Sequence, residues 1–179
     1  ATTPTSVPMI QFSGRYGWAL APDAQGVLNG YQISLTAIAA RRSREVGEQP
    51  PPGALRVACY GEAFTFGSEV DNGEDWPAQL EDAAAGALEV LNLGVIGWGT
   101  DQALLRFRDG HAQLGSDVVL MGLMSENIQR NVNRLVSVRA PKEFVPLVKP
   151  RFLLDSGELR LLPQPYASEI ELYEAAVNG

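Results

Sequence analysis

Leu55-Arg56-Val57-Ala58-Cys59-Tyr60-Gly61-Glu62-Ala63-Phe64-Thr65-Phe66-Gly67-Ser68-Glu69-Val70 is the run whose reading decides the fold. Leu55 to Tyr60 is short and mostly apolar, with Pro51-Pro52-Gly53 before it and Gly61 after it. A strand buried on both faces of a parallel sheet reads this way. Gly61 ends the strand, and the small and polar residues beyond it predict a strand-to-helix turn. In open α/β sheets such turns, at the carboxyl ends of the strands, are where ligands bind.

Two more strands are expected, Leu88 to Asn92 and Val118 to Met121, the first leaving through Leu93-Gly94-Val95-Ile96-Gly97-Trp98-Gly99. Between the first two, Asp71-Asn72-Gly73 is a turn. Asp75 to Ala85 then has Trp76, Leu80 and Ala83/Ala84 at helical spacing, with Trp76 expected in the core and Gly86 as the closing residue. Thr100 is expected to cap a helix over Asp101 to Arg108 that packs Ala103, Leu104 and Phe107 and stops at Asp109-Gly110. Ser125 to Val136 predicts a helix whose inner face is Ile128, Val132 and Leu135, leaving Arg130, Asn131, Asn133 and Arg134 in solvent.

At the ends of the chain the signals are weaker. Ala1 to Ser13 reads as a loose Thr/Pro-rich tail, and Tyr16 to Pro22 and Tyr31 to Thr36 as two short strands around a turn at Asp23 to Gly30. Arg41-Arg42-Ser43-Arg44 is the densest basic spot and is expected to be a solvated loop. Pro141, Pro146 and Pro150 mark an extended passage. Arg151 to Leu154 and Leu159 to Leu162 flank Asp155-Ser156-Gly157-Glu158 as a hairpin would, and Ser168-Glu169-Ile170-Glu171 opens a last helix.

Composition narrows the functional classes. With 179 residues, 45% hydrophobic and 20% charged, the chain is long enough for one domain with a good core. A net charge of −7 and no Lys/Arg stripe argue against nucleic acid as a partner. No apolar run reaches membrane-span length, and the start has neither a charged n-region nor an h-region, so no signal peptide is expected there. The single cysteine, Cys59, lies in the first strand, where a buried small hydrophobe is expected rather than a reactive thiol. With one Cys and one His, no zinc-type cluster and no metal or organic cofactor are expected.

Gly61-Glu62-Ala63-Phe64-Thr65-Phe66-Gly67 resembles the first block of the SGNH (GDSL) hydrolases, Gly-Asp/Glu-Ser-x-Thr-x-Gly. Val90 to Gly99 resembles the second block, with its glycine matched to Gly97. Asp117 to Leu123 resembles the third strand, and Ser125-Glu126-Asn127 the third block. The resemblance runs from about Tyr16 to Pro165 and implies a parallel three-layer α/β/α, flavodoxin-like fold. It divides the chain into residues 1–53, a tail and β-rich extension, and 54–179, the α/β core. Three parallel strands where the family has five imply an incomplete sheet: a shortened domain, or a chain that ends before the domain does. An open sheet edge would then need a partner or a second copy to cover it.

What the resemblance implies for function is ester hydrolysis, most often of acetyl groups and perhaps on a polysaccharide, with an extracytoplasmic location. Its oxyanion hole would be the N–H groups of Ala63 and Gly97 and the side-chain amide of Asn127; Gly61, Glu62, Phe64, Thr65 and Trp98 would lie at the ligand. Two departures matter. The family's nucleophilic serine falls at Ala63, whose methyl group cannot attack a carbonyl, and the Asp-x-x-His block that supplies the base is absent. His111, the only histidine, precedes the third strand, on the sheet edge away from the block loops. Ala37 and Ala40 also replace the asparagine and glycine of a loop in the related subgroup. Three readings follow: an esterase disabled by a serine-to-alanine change, a pseudo-enzyme that binds an acylated glycan or lipid, or loops that merely close a sheet.

Overall fold

The computed structural model describes residues 8–42, 44–139 and 144–178. Its centre is the parallel sheet of β5 (Leu55–Tyr60), β6 (Leu88–Asn92) and β7 (Val118–Met121), in the order β6-β5-β7. The first of these strands in the chain lies in the middle, with its two successors on either side. Side chains alternate along β5 because successive Cβ atoms leave a strand on opposite faces. Val57 and Cys59 pack with Val90 and with Leu80 of α2 (Trp76–Ala83). Ala58 and Tyr60 pack with Leu91, Leu93 and Ala103, against α3 (Thr100–Leu114). The α/β class and all three strands lie where the sequence predicts them.

A buried ion pair joins two of the strands. Arg56 and Glu89 are register partners on β5 and β6, their side chains 2.7 Å apart at Nε and Oε2. Arg56 also donates to the carbonyls of Gly47 and Leu114, both at 2.7 Å, so a cation inside an apolar run is fully partnered.

The N-terminal segment is more structured than its sequence suggests. Ile10–Ser13 (β1) pairs antiparallel with Gly17–Leu20 (β2), so this end of the supposed tail is a strand. The Asp23 to Gly30 turn region contains a strand as well, β3 (Gln25–Leu28), which pairs with β4 (Tyr31–Ser34). Asn29 and Gly30 connect them at φ +53° and +94°, the two positive angles that a type I′ hairpin requires. Residues 1–7 of the tail lie outside the described residues. Trp18, Leu20, Ile33 and Leu35 share one buried cluster with Phe66, Val95 and Trp98. The extension and the exits of β5 and β6 therefore form a common core.

Several helix boundaries differ from expectation. α3 runs through Asp109-Gly110 to Leu114 and closes on Gly115 at φ +57°. Packing of Ala103, Leu105, Phe107 and Leu114 outweighs the helix-breaking tendency of one glycine. Thr100 is the first residue of that helix, its cap being Gly99. Trp76, expected in the core, is 39% exposed at the start of α2. Gly86 follows the cap Ala84 with φ +92°.

The largest reversal is at Ser125 to Val136. The helix there, α4, covers Asn127–Val132 alone, and Leu135–Arg139 is instead a strand, β8, paired with β9 (Phe144–Val148). Ile128, Val132 and Leu135, expected inside, are 73%, 60% and 61% exposed. Pro146 lies in β9, within the extended passage, and Pro141 is outside the described residues. The hairpin is present as β10 (Arg151–Asp155) and β11 (Glu158–Leu162), and α5 (Glu169–Asn178) opens where Ser168 Oγ accepts from Glu171 N–H at 3.2 Å. No helix among the described residues is long and apolar enough to cross a membrane.

Cys59 is fully buried, and burial pushes its thiol up to about 12. A thiol reagent at pH 8 should leave the native chain unmodified and label it completely in denaturant; fast native labelling would contradict this placement of β5.

Candidate functional site

The exits of β5, β6 and β7 meet at the carboxyl edge of the sheet. Leu93 N–H donates to Cys59 O at 2.8 Å, Val95 N–H to Gly61 O at 3.1 Å, and Gly122 N–H to Tyr60 O at 2.8 Å. These bonds carry the pairing of β5 with both neighbours one step beyond the strands. Thr65, buried on the short helix α1 (Ala63–Phe66), fills the space a Cβ would take at Gly61 and at Gly122. A Cβ at Gly94 would sit 2.9 Å from Thr65 C and 3.0 Å from Phe66 Cα, so the β6 exit lies directly on the α1 backbone. These glycines mark close backbone approach.

Glu62 caps α1. Its Oε1 accepts from Phe64 N–H at 2.9 Å, and its Oε2 is 3.4 Å from Arg130 Nη1. The same Arg130 nitrogen donates to Trp98 O at 3.2 Å. Arg130, from α4, thus ties the three exits together. Asn131 Oδ1 accepts from Asp101 N–H at 3.2 Å, and Arg134 donates to Lys149 O at 3.2 Å. These residues were expected in solvent, yet Arg130 and Asn131 of α4, and Arg134 just beyond it, bond to backbone; Asn133 alone is exposed as expected. Behind Gly99, Lys149 and Asp101 form a buried ion pair; burial raises the carboxyl and lowers the amine, each opposed by the other's charge.

Arg41 corrects the expectation of a solvated basic loop. Its guanidinium is 1% exposed and donates to the carbonyls of Phe66 at 2.7 Å, Val70 at 2.6 Å, and Gly67. Asp75 lies 3.7 Å away, and Asn92 Nδ2 bridges Asp75 Oδ1 at 2.8 Å to Phe66 O at 3.2 Å. Arg42 is also buried, between Glu81 at 2.9 Å and Glu89 at 3.2 Å. Two arginines with carboxylates several tens of residues away leave no signal in local sequence. Ser43 lies outside the described residues.

The expected site residues divide into two groups. Ala63 begins α1 and, with Phe64 and Trp76, lines a cleft of about 400 Å³ that also includes Gly67, Ser68, Glu69 and Val70. Phe64 is 73% exposed and available to a ligand. Gly97 has φ +78°, in the region only glycine enters freely, with Trp18 behind it. Asn127 is 4% exposed at the start of α4, and its Oδ1 has no hydrogen-bond partner. Glu62 and Thr65 are occupied in holding the turn. Trp98, expected at the ligand, is 1% exposed and belongs to the core; its Nε1 donates to Trp18 O at 3.0 Å and Trp18 Nε1 returns a bond to Ile96 O at 2.9 Å. The cleft at Ala63 includes neither Gly97 nor Asn127.

His111 lies in the last turn of α3, its ring 4.5 Å from Phe107 and its Nδ1 3.0 Å from Ser116 Oγ. Because α3 runs back from the β6 exit to the start of β7, this histidine is at the far edge of the sheet. Among the described residues no group of three His, Cys, Asp or Glu side chains could hold a metal ion. Trp76, expected in the core from its helical spacing, lines this cleft instead; its position right after the Asp75 cap was the available signal.

No family model matches the chain, and comparison with curated proteins finds no match.

Arg41→Ala should destabilise the fold by about 3–5 kcal/mol, since it leaves Asp75 and three carbonyls facing a void. Urea denaturation measures this, and a change below about 1 kcal/mol would show that the network carries little of the stability.

Proposed function

We propose that the chain carries an ester-binding centre of the SGNH hydrolase type, with Ala63 at the position of the nucleophile. The observation that carries this reading is Asn127. Its amide is almost fully buried at the β7 exit, and its Oδ1 is one of five buried side-chain atoms without a hydrogen-bond partner among the described residues. A buried, unpaired amide at the carboxyl edge of an α/β sheet suits an incoming carbonyl oxygen or oxyanion. The strand order β6-β5-β7 and the close seat of α1 on Gly94 agree with it.

The chemistry of the present chain stops at binding. Alanine at 63 supplies no attacking atom, and the only histidine lies at the other end of the sheet. That placement favours a centre that holds an acyl group without transferring it. The cleft beside Ala63, flanked by exposed Phe64 and Trp76, would receive the alcohol side of the ester, and aromatic faces of this kind stack on sugar rings.

Ala63→Ser should acquire an acetyl group at residue 63 from p-nitrophenyl acetate at mildly alkaline pH, located by peptide mass. Adding Asn127→Ala should slow that step on the order of a hundredfold. No adduct at residue 63 above the unmodified chain, or no effect of Asn127→Ala, overturns the ester centre.

For the unmodified chain, calorimetry with an O-acetylated xylo-oligosaccharide should give heat that Asn127→Ala lowers. Absence of heat with acetylated sugars counts against the binding reading.

A further inference from the structure

A second cavity, of about 360 Å³, lies on the other side of the sheet, between α3 and the N-terminal extension. Ile38, Leu93 and Leu114 and the rings of Tyr16 and Tyr60 make its walls, and Arg106, Asp109 and Gln113 bring polar groups to it. Neither Ala63, Gly97 nor Asn127 is part of it.

Two features of this cavity are unbalanced. Arg106 donates to three backbone carbonyls, Leu93 O at 2.9 Å, Ile38 O at 3.0 Å and Ala39 O at 3.2 Å. It forms none of the salt bridges among the described residues. The titratable groups that act on it are the phenols of Tyr60 and Tyr16, which are neutral at pH 7, and burial pushes its guanidinium down to about 10. Carbonyl dipoles solvate a cation but do not cancel its charge, and this half-buried guanidinium has no carboxylate partner among the described residues. The carboxylate at the rim, Asp109, is committed elsewhere: Arg15 Nε binds it at 2.7 Å and Tyr16 Oη donates to it at 3.0 Å.

The second feature is Tyr60. The residue is fully buried, and its hydroxyl has no hydrogen-bond partner. A phenylalanine would fill the same space beside Phe107 without that cost, so the hydroxyl has no structural role. A donor without an acceptor and a cation without an anion border the same apolar cavity.

We infer that this cavity is a second binding site, which takes a small carboxylate with an apolar body. The carboxylate would answer the charge of Arg106 and accept from the Tyr60 hydroxyl, and the apolar body would lie against Ile38, Leu93 and Leu114. This site does not depend on the ester centre, and either can fail alone.

The probe is octanoate, with octanamide as its uncharged counterpart, added to the complete chain while the melting temperature and ligand-observed NMR are followed. Octanoate should raise Tm with concentration and saturate, and octanamide should bind at least about tenfold more weakly, as expected for loss of a charged hydrogen-bond partner. Tyr60→Phe should leave Tm without ligand unchanged or higher while weakening octanoate severalfold. Arg106→Gln should abolish octanoate binding, and because Arg106 also holds three carbonyls, Tyr60→Phe is the variant that decides. Equal binding of octanamide, undiminished octanoate binding by Tyr60→Phe, or no saturable effect of octanoate overturns the site.

Discussion

Arg41 is the constraint on which the rest of the structure depends. Its backbone N–H bonds Asn92 O at 2.8 Å, which joins the extension to the edge of β6, while its side chain closes the turn after α1 from beneath. A four-residue helix has no cooperative stability of its own. What fixes α1 is the set of groups around it: Glu62 at its start, Gly94 along its side, and Arg41 with Asn92 at its last carbonyls. Removing water from a guanidinium costs several kcal/mol, and only a full set of acceptors offsets that cost. Here the acceptors are the carbonyls of the turn itself, so the cation and the loop conformation require each other.

This coupling explains why the extension and the sheet share a hydrophobic cluster. Trp18 and Trp98 exchange indole bonds with each other's neighbouring backbone, and the extension covers the β6 exit as a lid covers a box. The loops at the strand exits are thereby held from two sides, by Arg41 near α1 and by Trp18 beneath Gly97. A division at residue 53 is a boundary in sequence pattern. The apolar core runs across it.

How much could be read in advance depended on whether the cause was local. The three parallel strands were legible because each is a short apolar run between breakers, and the β10-β11 hairpin because Ser156-Gly157 is a turn sequence. The positions of Ala63 and Asn127 after β5 and β7 were legible for the same reason. The course of α4 was not. Its apolar residues have helical spacing but face outward, and its polar residues Arg130 and Asn131 face inward, where loop backbone needs partners. Periodicity identifies an apolar face and assumes that face is the buried one; a helix packed on loops breaks the assumption. The burial of Arg41 and Arg42 was hidden because their partners, Asp75, Glu81 and Glu89, are distant in sequence.

Unpaired buried polar atoms are the remaining guide to function, and they are not equivalent. Arg41 Nε is unpartnered, but its neighbouring nitrogens bind three carbonyls and Asp75 is close, so the orphan is incidental to a dense network. Asn127 has no such network. Its Oδ1 has no hydrogen-bond partner, at the edge where α/β sheets bind ligands. Tyr60 could lose its hydroxyl with no loss of packing and keeps it beside an uncompensated cation. Folding alone gives no reason for either of these two groups. The proposed oxygen-bearing ligands would supply one, at the carboxyl edge of the sheet for Asn127 and between α3 and the extension for Tyr60.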